Sequence, residues 1–157
     1  MSDATIPFPV PPVQKQVTIA KPAAEVFRLF TAEIDKWWPL GKGYKVGKAE
    51  PVFCAIEPRV GGRLFERSQD GQECDWGTVL VWDPPHTLAY SWHPGQSADK
   101  AQHIEMRFVP EAEARTRVEL VHSGWESTPE GRKTRDSYDN GWVFVFERCF
   151  RDYAAAG

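Results

Sequence analysis

The chain has 157 residues, 41% of them hydrophobic, and a formal net charge of −3, which fits one domain that can bury a core without disulfide or metal staples. Its one basic cluster, Arg132-Lys133-Arg135, is too small for a nucleic-acid footprint, and no apolar run approaches the roughly 18 residues of a membrane span. Cys54, Cys74 and Cys149 are odd in number and lack CxxC spacing, so they read as free thiols in a reducing compartment, and with no basic or apolar leader at the start the chain reads as cytoplasmic.

Residues 1–12 form a proline-rich segment read as a flexible tail, and residues 13–157 are read as a single domain. Val13, Val17 and Ile19 alternate with Gln14, Gln16 and Thr18, the period of a half-buried strand. Lys21-Pro22 opens a helix whose inner face is Ala23, Val26, Phe27, Phe30 and Ile34. Pro39 stops it beside Trp37 and Trp38, and the glycine- and lysine-rich stretch from Gly41 to Lys48 is a loop.

From Pro51 the texture changes to short alternating runs separated by turn residues, the mark of an antiparallel sheet. Six strands are predicted: Val52 to Glu57, Gly62 to Arg67, Asp75 to Trp82, Thr87 to Trp92, His103 to Val109 and Thr116 to His122. Alternation puts Ile104, Met106 and Phe108 on one face, Val118, Leu120 and His122 together, Leu88 with Tyr90 and Trp92, and Leu64 with Glu66. Two polar groups, Glu66 and His122, thus fall on apolar faces. In Asp75 to Trp82 the alternation sets Trp76, Leu80 and Trp82 against Val79 and Val81, with Gly77 as a candidate bulge that changes the phase.

Ser127-Thr128-Pro129-Glu130 reads as a helix start, with Thr128 as N-cap and Pro129 at the first position. One long helix follows to Gly157. Trp142, Val145, Phe146, Cys149 and Tyr153 form its apolar stripe, widened by Val143, Phe144 and Phe150. Gly141 inside it suggests a close approach of helix backbone to the sheet or to something held beneath. The order strand, helices, six strands, long helix is an α+β arrangement, with helices on one side of a curved antiparallel sheet.

Val60-Gly61-Gly62-Arg63, the Asp70-Gly71 turn, Gly77-Thr78-Val79-Leu80, Asp83-Pro84-Pro85, Leu88, Ser91-Trp92 and Gly141-Trp142 together resemble the START-like (SRPBCC) superfamily. Within it the chain is most similar to bacterial proteins named after the activator of the heat-shock-protein-90 ATPase. The resemblance implies a helix-grip fold, in which the sheet wraps the C-terminal helix and leaves a cavity between them. Members include carriers of small molecules, cyclases and co-chaperone domains, so fold alone does not give the activity. The charged residues between Phe65 and Trp76 argue against a purely apolar ligand.

The aromatic set Trp76, Tyr90, Trp92, Trp142 and Phe146 reads either as plain core or as the wall of a ligand site. Trp37 and Trp38 either cap such a cavity or stack outside it. Glu66 is a candidate acid, base or ligand anchor, with an ion pair to an arginine such as Arg63 or Arg107, or simple exposure at a strand end, as the commoner alternative. His122 is a candidate partner for it, with a hydrogen-bonded strand-end histidine as its alternative. His86, His93, His103 and His122 lack metal-ligand spacing, so neither metal nor cofactor is expected, and Ser123 lacks the context of a nucleophile. The loop GKGYKVGKA lacks the first glycine and the Ser or Thr of a phosphate-binding loop.

The leading expectation is therefore a protein that binds a hydrophobic or amphipathic small molecule. Glu66, Tyr90 and His122 are its expected polar contacts, and Trp76, Trp92, Met106, Phe108, Trp142 and Phe146 its apolar wall. Two alternatives stand beside it: a protein-interaction module that modulates a chaperone ATPase, and a cyclase or hydrolase using Glu66 and His122.

Overall fold

The computed structural model describes residues 10–128 and 130–156. Seven strands, β1 (Val13–Ile19), β2 (Pro51–Ile56), β3 (Arg63–Ser68), β4 (Glu73–Asp83), β5 (Thr87–Trp92), β6 (Gln102–Ala112) and β7 (Arg115–Ser123), form one antiparallel sheet in the order β1-β7-β6-β5-β4-β3-β2. Strands β2 to β7 are a meander of neighbours in sequence. The first strand closes the far edge by pairing with the last, Val13 opposite His122. Helices α1 (Ala23–Thr31) and α2 (Ile34–Trp37) carry the chain from that edge to the opposite one. The C-terminal helix starts as α3 (Gly131–Phe144), continues as a π-helical segment over Val145–Phe150 and ends in α4 (Arg151–Ala155). The fold is α+β: a curled antiparallel half-barrel with the long helix packed on it, helix-grip-like.

The alternation of the strands places the core. Ile104, Met106, Phe108, Val118, Leu120, Leu88, Tyr90, Trp92 and Leu64 are all buried on the inner face, while Arg107 and Glu105 pair with each other outside. From above, α1 presents Val26, Phe27 and Phe30. Phe150 stands edge-on to both Phe30 and Trp37, with ring centroids 5.1 Å apart in each case, a geometry that adds about 0.5–1.5 kcal/mol per pair beyond burial.

Four expectations are corrected by tertiary detail. The helix does not start at Thr128, whose backbone is extended; α3 begins at Gly131, after Glu130 in the left-handed region at φ 52°, with no side-chain cap. Pro129 lies outside the described residues, as does most of the proline-rich tail. The carbonyls of Pro11 and Pro12 accept hydrogen bonds from the Arg135 guanidinium. The glycine that permits a close approach is Gly131, where a Cβ would lie 2.3 Å from the Trp125 carbonyl oxygen; at Gly141 it would meet no protein atom within 4 Å.

The buried stripe of the last helix is Trp142, Val145, Phe146, Phe150 and Ala154, whereas Cys149 and Tyr153 are only half-buried and Val143 is exposed. A π turn holds more residues than an α turn. Positions spaced by four, 142, 146, 150 and 154, therefore stay in line along the core instead of rotating away, and the rings of Phe146 and Phe150 stack parallel.

In β4 the phase slips twice. Pairing with β3 jumps from Leu64 opposite Gly77 to Phe65 opposite Asp75, leaving Trp76 as the extra residue of a bulge. Pairing with β5 jumps between Val79 and Val81. Trp76 and Val79 consequently both face inward, and Leu80, expected beside Trp76, is 44% exposed. Gly77 is required here, because a Cβ would sit 1.7 Å from the Ser91 carbonyl oxygen.

Candidate functional site: an aromatic cavity under the C-terminal helix

A half-open cavity of 170 Å³ lies between the sheet, α3 and the loop that follows Leu40. Four indoles form its wall: Trp38, Trp76, Trp92 and Trp142. Trp38 is the hub, its ring centroid 5.0 Å from Trp76, 6.0 Å from Trp92 and 6.1 Å from Trp142. The two neighbouring tryptophans at the end of α2 thus divide: Trp38 faces the cavity, while Trp37 is buried between Phe30 and Phe150. Gly141, Tyr138 and Val145 from the helix complete one side. The empty space above the Gly141 Cα is part of this cavity rather than a packed contact.

The remaining side is a lid, residues Gly43, Tyr44, Lys45 and Val46, in a segment without regular structure beyond the single 3₁₀ turn at Leu40–Lys42. Glu66 holds this lid in place. Its side chain is 0% exposed, and its carboxyl oxygens accept the backbone N–H of Val46 at 2.5 Å, that of Gly47 at 2.9 Å and the Trp76 indole N–H at 2.8 Å. No arginine reaches it: Arg63 pairs with Glu57, Glu73 and Asp75, and Arg107 with Glu105. Three N–H donors meet the requirement that a buried carboxyl group be fully bonded. Gly47 is fitted to the contact, since a Cβ there would lie 2.9 Å from the Ser68 hydroxyl and 3.2 Å from Glu66 Oε2. Tyr44 adds a stacked contact with Phe144 at 5.6 Å, and its carbonyl accepts the Trp38 indole N–H at 2.9 Å.

His122 is also 0% exposed and stands behind Trp142 rather than in the cavity wall. An indole N–H can only donate. The Trp142 Nε1–H therefore fixes His122 Nδ1 as the acceptor at 3.0 Å, and the imidazole proton sits on Nε2, donated to Gln102 Oε1 at 2.7 Å. Burial, with a lesser contribution from His103, holds its pKa down to about 3, so the ring is neutral at physiological pH. Both nitrogens are occupied.

Of the residues expected at a ligand site, Trp76, Trp92 and Trp142 line the cavity. Glu66 and His122 stand one layer behind it, bonded to its wall. Tyr90, Met106, Phe108 and Phe146 are buried in the surrounding core. Tyr90 is notable there: burial pushes its phenol pKa up, and its hydroxyl has no hydrogen-bond partner among the described residues.

The site is built on a scaffold with known relatives. The family model for Activator of Hsp90 ATPase homolog 1-like proteins matches residues 20–151. The chain belongs to this family. Among solved structures, an anthrahydroquino-γ-pyrone synthase, Txn09, is 37% identical, covering 83% of this chain and 88% of that one with a TM-score of 0.57. The self-sacrificing resistance protein CalC from Micromonospora echinospora is 20% identical over 92% of this chain and 94% of its own, TM-score 0.62. The Aha1 dimer from Colwellia psychrerythraea is 17% identical over 93% and 97%, TM-score 0.65. No curated protein matches the chain in sequence.

In this member of the family the lining residues that sequence reading did not name for the site include Tyr44, Lys45, Val46, Pro94 and Tyr138. Tyr138 had a signal: with Gly141, Trp142 and Val145 it follows the three-and-four spacing of one helical face. Among the described residues no group of three His, Cys, Asp or Glu side chains is arranged to hold a metal ion, and no helix is long and apolar enough to cross a membrane. All three cysteines are free.

Proposed function

We propose that this protein binds a small planar aromatic molecule, held between Trp38, Trp76, Trp92 and Trp142 beneath the C-terminal helix. The observation that carries the reading is the open face left among four indoles: rings meet ring ligands at offset or edge-on geometry, and such pairs add to the apolar burial. The cavity is of the size that accepts about one aromatic ring when closed, and being half-open it lets a larger molecule extend outward. The 37% identity to a synthase of an anthrahydroquino-γ-pyrone supports a fused aromatic ligand. Glu66 then acts by positioning the lid and Trp76, and His122 by orienting Trp142.

That same identity favours a second reading, in which the bound aromatic undergoes ring-closing chemistry. Tyr44, Lys45 and Tyr138, not Glu66 or His122, are then the titratable proton-bearing side chains in the wall.

Native mass spectrometry of protein purified gently from its own host tests the first reading. The expected result is a co-purifying aromatic mass that is released on denaturation and quenches tryptophan emission when added back. An apo protein whose tryptophan emission is indifferent to fused aromatic probes overturns it and turns attention to a protein partner. Turnover of an added aromatic substrate, abolished in Tyr138→Phe with the fold retained, is the outcome the second reading requires.

A further inference from the structure

Beside the aromatic cavity lies a second one of 230 Å³, lined by His93, Gln96, Lys100, Gln102, Thr128 and Tyr138 among others. Pro94 and Tyr138 border both, so the two spaces are adjoining rooms. The second differs sharply in chemistry. Its wall holds two basic side chains, His93 and Lys100, and no carboxylate.

The direction of its hydrogen bonds follows from the indoles. Trp142 Nε1 donates to His122 Nδ1, His122 Nε2 donates to Gln102 Oε1, and Gln102 Nε2 donates to the Thr128 hydroxyl oxygen at 2.9 Å. Every link is forced by the one before, because the first member can only donate. The chain ends at Thr128 with a hydroxyl proton that finds no acceptor among the described residues. A second, shorter chain does the same. Trp92 Nε1 donates to the Tyr138 hydroxyl at 3.0 Å, leaving the Tyr138 proton likewise without an acceptor among them. Two outgoing O–H donors and two basic side chains thus border one small space, next to an aromatic slot.

We infer that the second cavity is an anion subsite for the acidic group of an aromatic acid, a carboxylate or an ionised phenol, whose ring occupies the tryptophan cavity. This rests on the aromatic reading above and adds the class of ligand. Thr128 and Tyr138 donate to the ligand oxygens, and Lys100 supplies the compensating charge from the rim. A neutral polycycle gains only the ring contacts, so the arrangement discriminates for acids by the donors as well as by charge.

The test is a tryptophan-fluorescence titration of the full chain with three probes of matched shape: 2-naphthoate, 2-naphthamide and 2-methylnaphthalene. Naphthoate is expected to bind about tenfold or more tightly than the other two, the worth of hydrogen bonds to a charged group. Thr128→Val should remove most of that preference while leaving 2-methylnaphthalene within about twofold, and Tyr138→Phe, which alters the wall of both cavities, should weaken naphthoate more than 2-methylnaphthalene. Lys100→Gln, at an exposed position, should weaken naphthoate alone and flatten its salt dependence. Equal binding of all three probes overturns the anion subsite and leaves the aromatic cavity standing. Loss of all three probes together in Lys100→Gln, or equal losses for acid and hydrocarbon in both hydroxyl variants, overturns it as well. Absence of any binding overturns both readings.

Discussion

The carboxyl group of Glu66 accepts the backbone N–H of Gly47 at 2.9 Å, across nineteen positions of sequence, and so ties an irregular loop to β3, the strand beside the sheet's β2 edge. Without the Glu66 carboxyl group, which also accepts the Val46 N–H, the lid would be held mainly by Tyr44 against Phe144 and by the Trp38 indole. Replacing Glu66 by Gln keeps the volume but turns an NH₂ group toward an N–H that needs an acceptor. Leaving such donors buried and unpaired costs about 1–3 kcal/mol. Glu66→Gln is therefore expected to lose about that much stability in urea denaturation, and to show faster amide exchange at Val46 and Gly47 than in the sheet. Unchanged protection at those two amides would mean that the lid is held by something else.

His122 predicts a pH dependence whose sign is set by its depressed pKa. The folded protein keeps the ring neutral down to about pH 3, whereas the unfolded chain takes up a proton near the ordinary value of 6.5. Below pH 6.5 the unfolded state binds the extra proton, so stability falls as the pH falls, by up to ~1.4 kcal/mol per pH unit from this group. His122→Gln should be less stable at pH 7, having lost the bonds to Trp142 and Gln102, but its stability should change less between pH 6.5 and 4.5. Equal slopes for the two proteins, measured by denaturant midpoints, would place the pH dependence elsewhere.

The two glycines of the last helix should respond oppositely to alanine. At Gly131 a methyl group meets the Trp125 carbonyl oxygen at 2.3 Å, so the helix start must shift. At Gly141 the methyl meets open space, and removing a mid-helix glycine gains about 1 kcal/mol of helix propensity. Gly141→Ala should raise the melting temperature and, by reaching into the cavity, weaken binding of fused aromatic probes. Gly131→Ala should lower it.

Tyr90 offers a fourth check. Its buried hydroxyl has no partner among the described residues, and an unpaired buried hydroxyl costs about 1–3 kcal/mol. Tyr90→Phe removes that cost while keeping the ring beside Trp92. It is expected to leave stability unchanged or raise it by up to about 1 kcal/mol in denaturant titration. A clear loss would reveal a bond made by that hydroxyl.

Local pattern was enough for much of this molecule. Period-two alternation placed Ile104, Met106, Phe108, Val118, Leu120 and both buried polar residues, Glu66 and His122, on the inner face, because a strand side chain's direction depends only on its own parity while the ladder is regular. The three-and-four spacing likewise found Trp142, Val145 and Phe146 on the helix. The bulge beside Gly77 was legible, but not the second slip of β4 at Leu80, the π-helical turn at Val145–Phe150 or the helix start at Gly131. The bulge and the helix start each meet a close backbone contact, Gly77 against the Ser91 carbonyl and Gly131 against the Trp125 carbonyl, which periodicity does not register. The site itself belongs to this second kind. Sequence alone singled out Trp76, Trp92, Trp142 and Glu66; only the folded chain decided that Trp38 faces inward, that Glu66 clasps a lid, and that the Thr128 and Tyr138 side chains border the same space. Those are properties of hydrogen-bond direction and of empty volume between distant segments, and they exist only once the helix lies across the sheet.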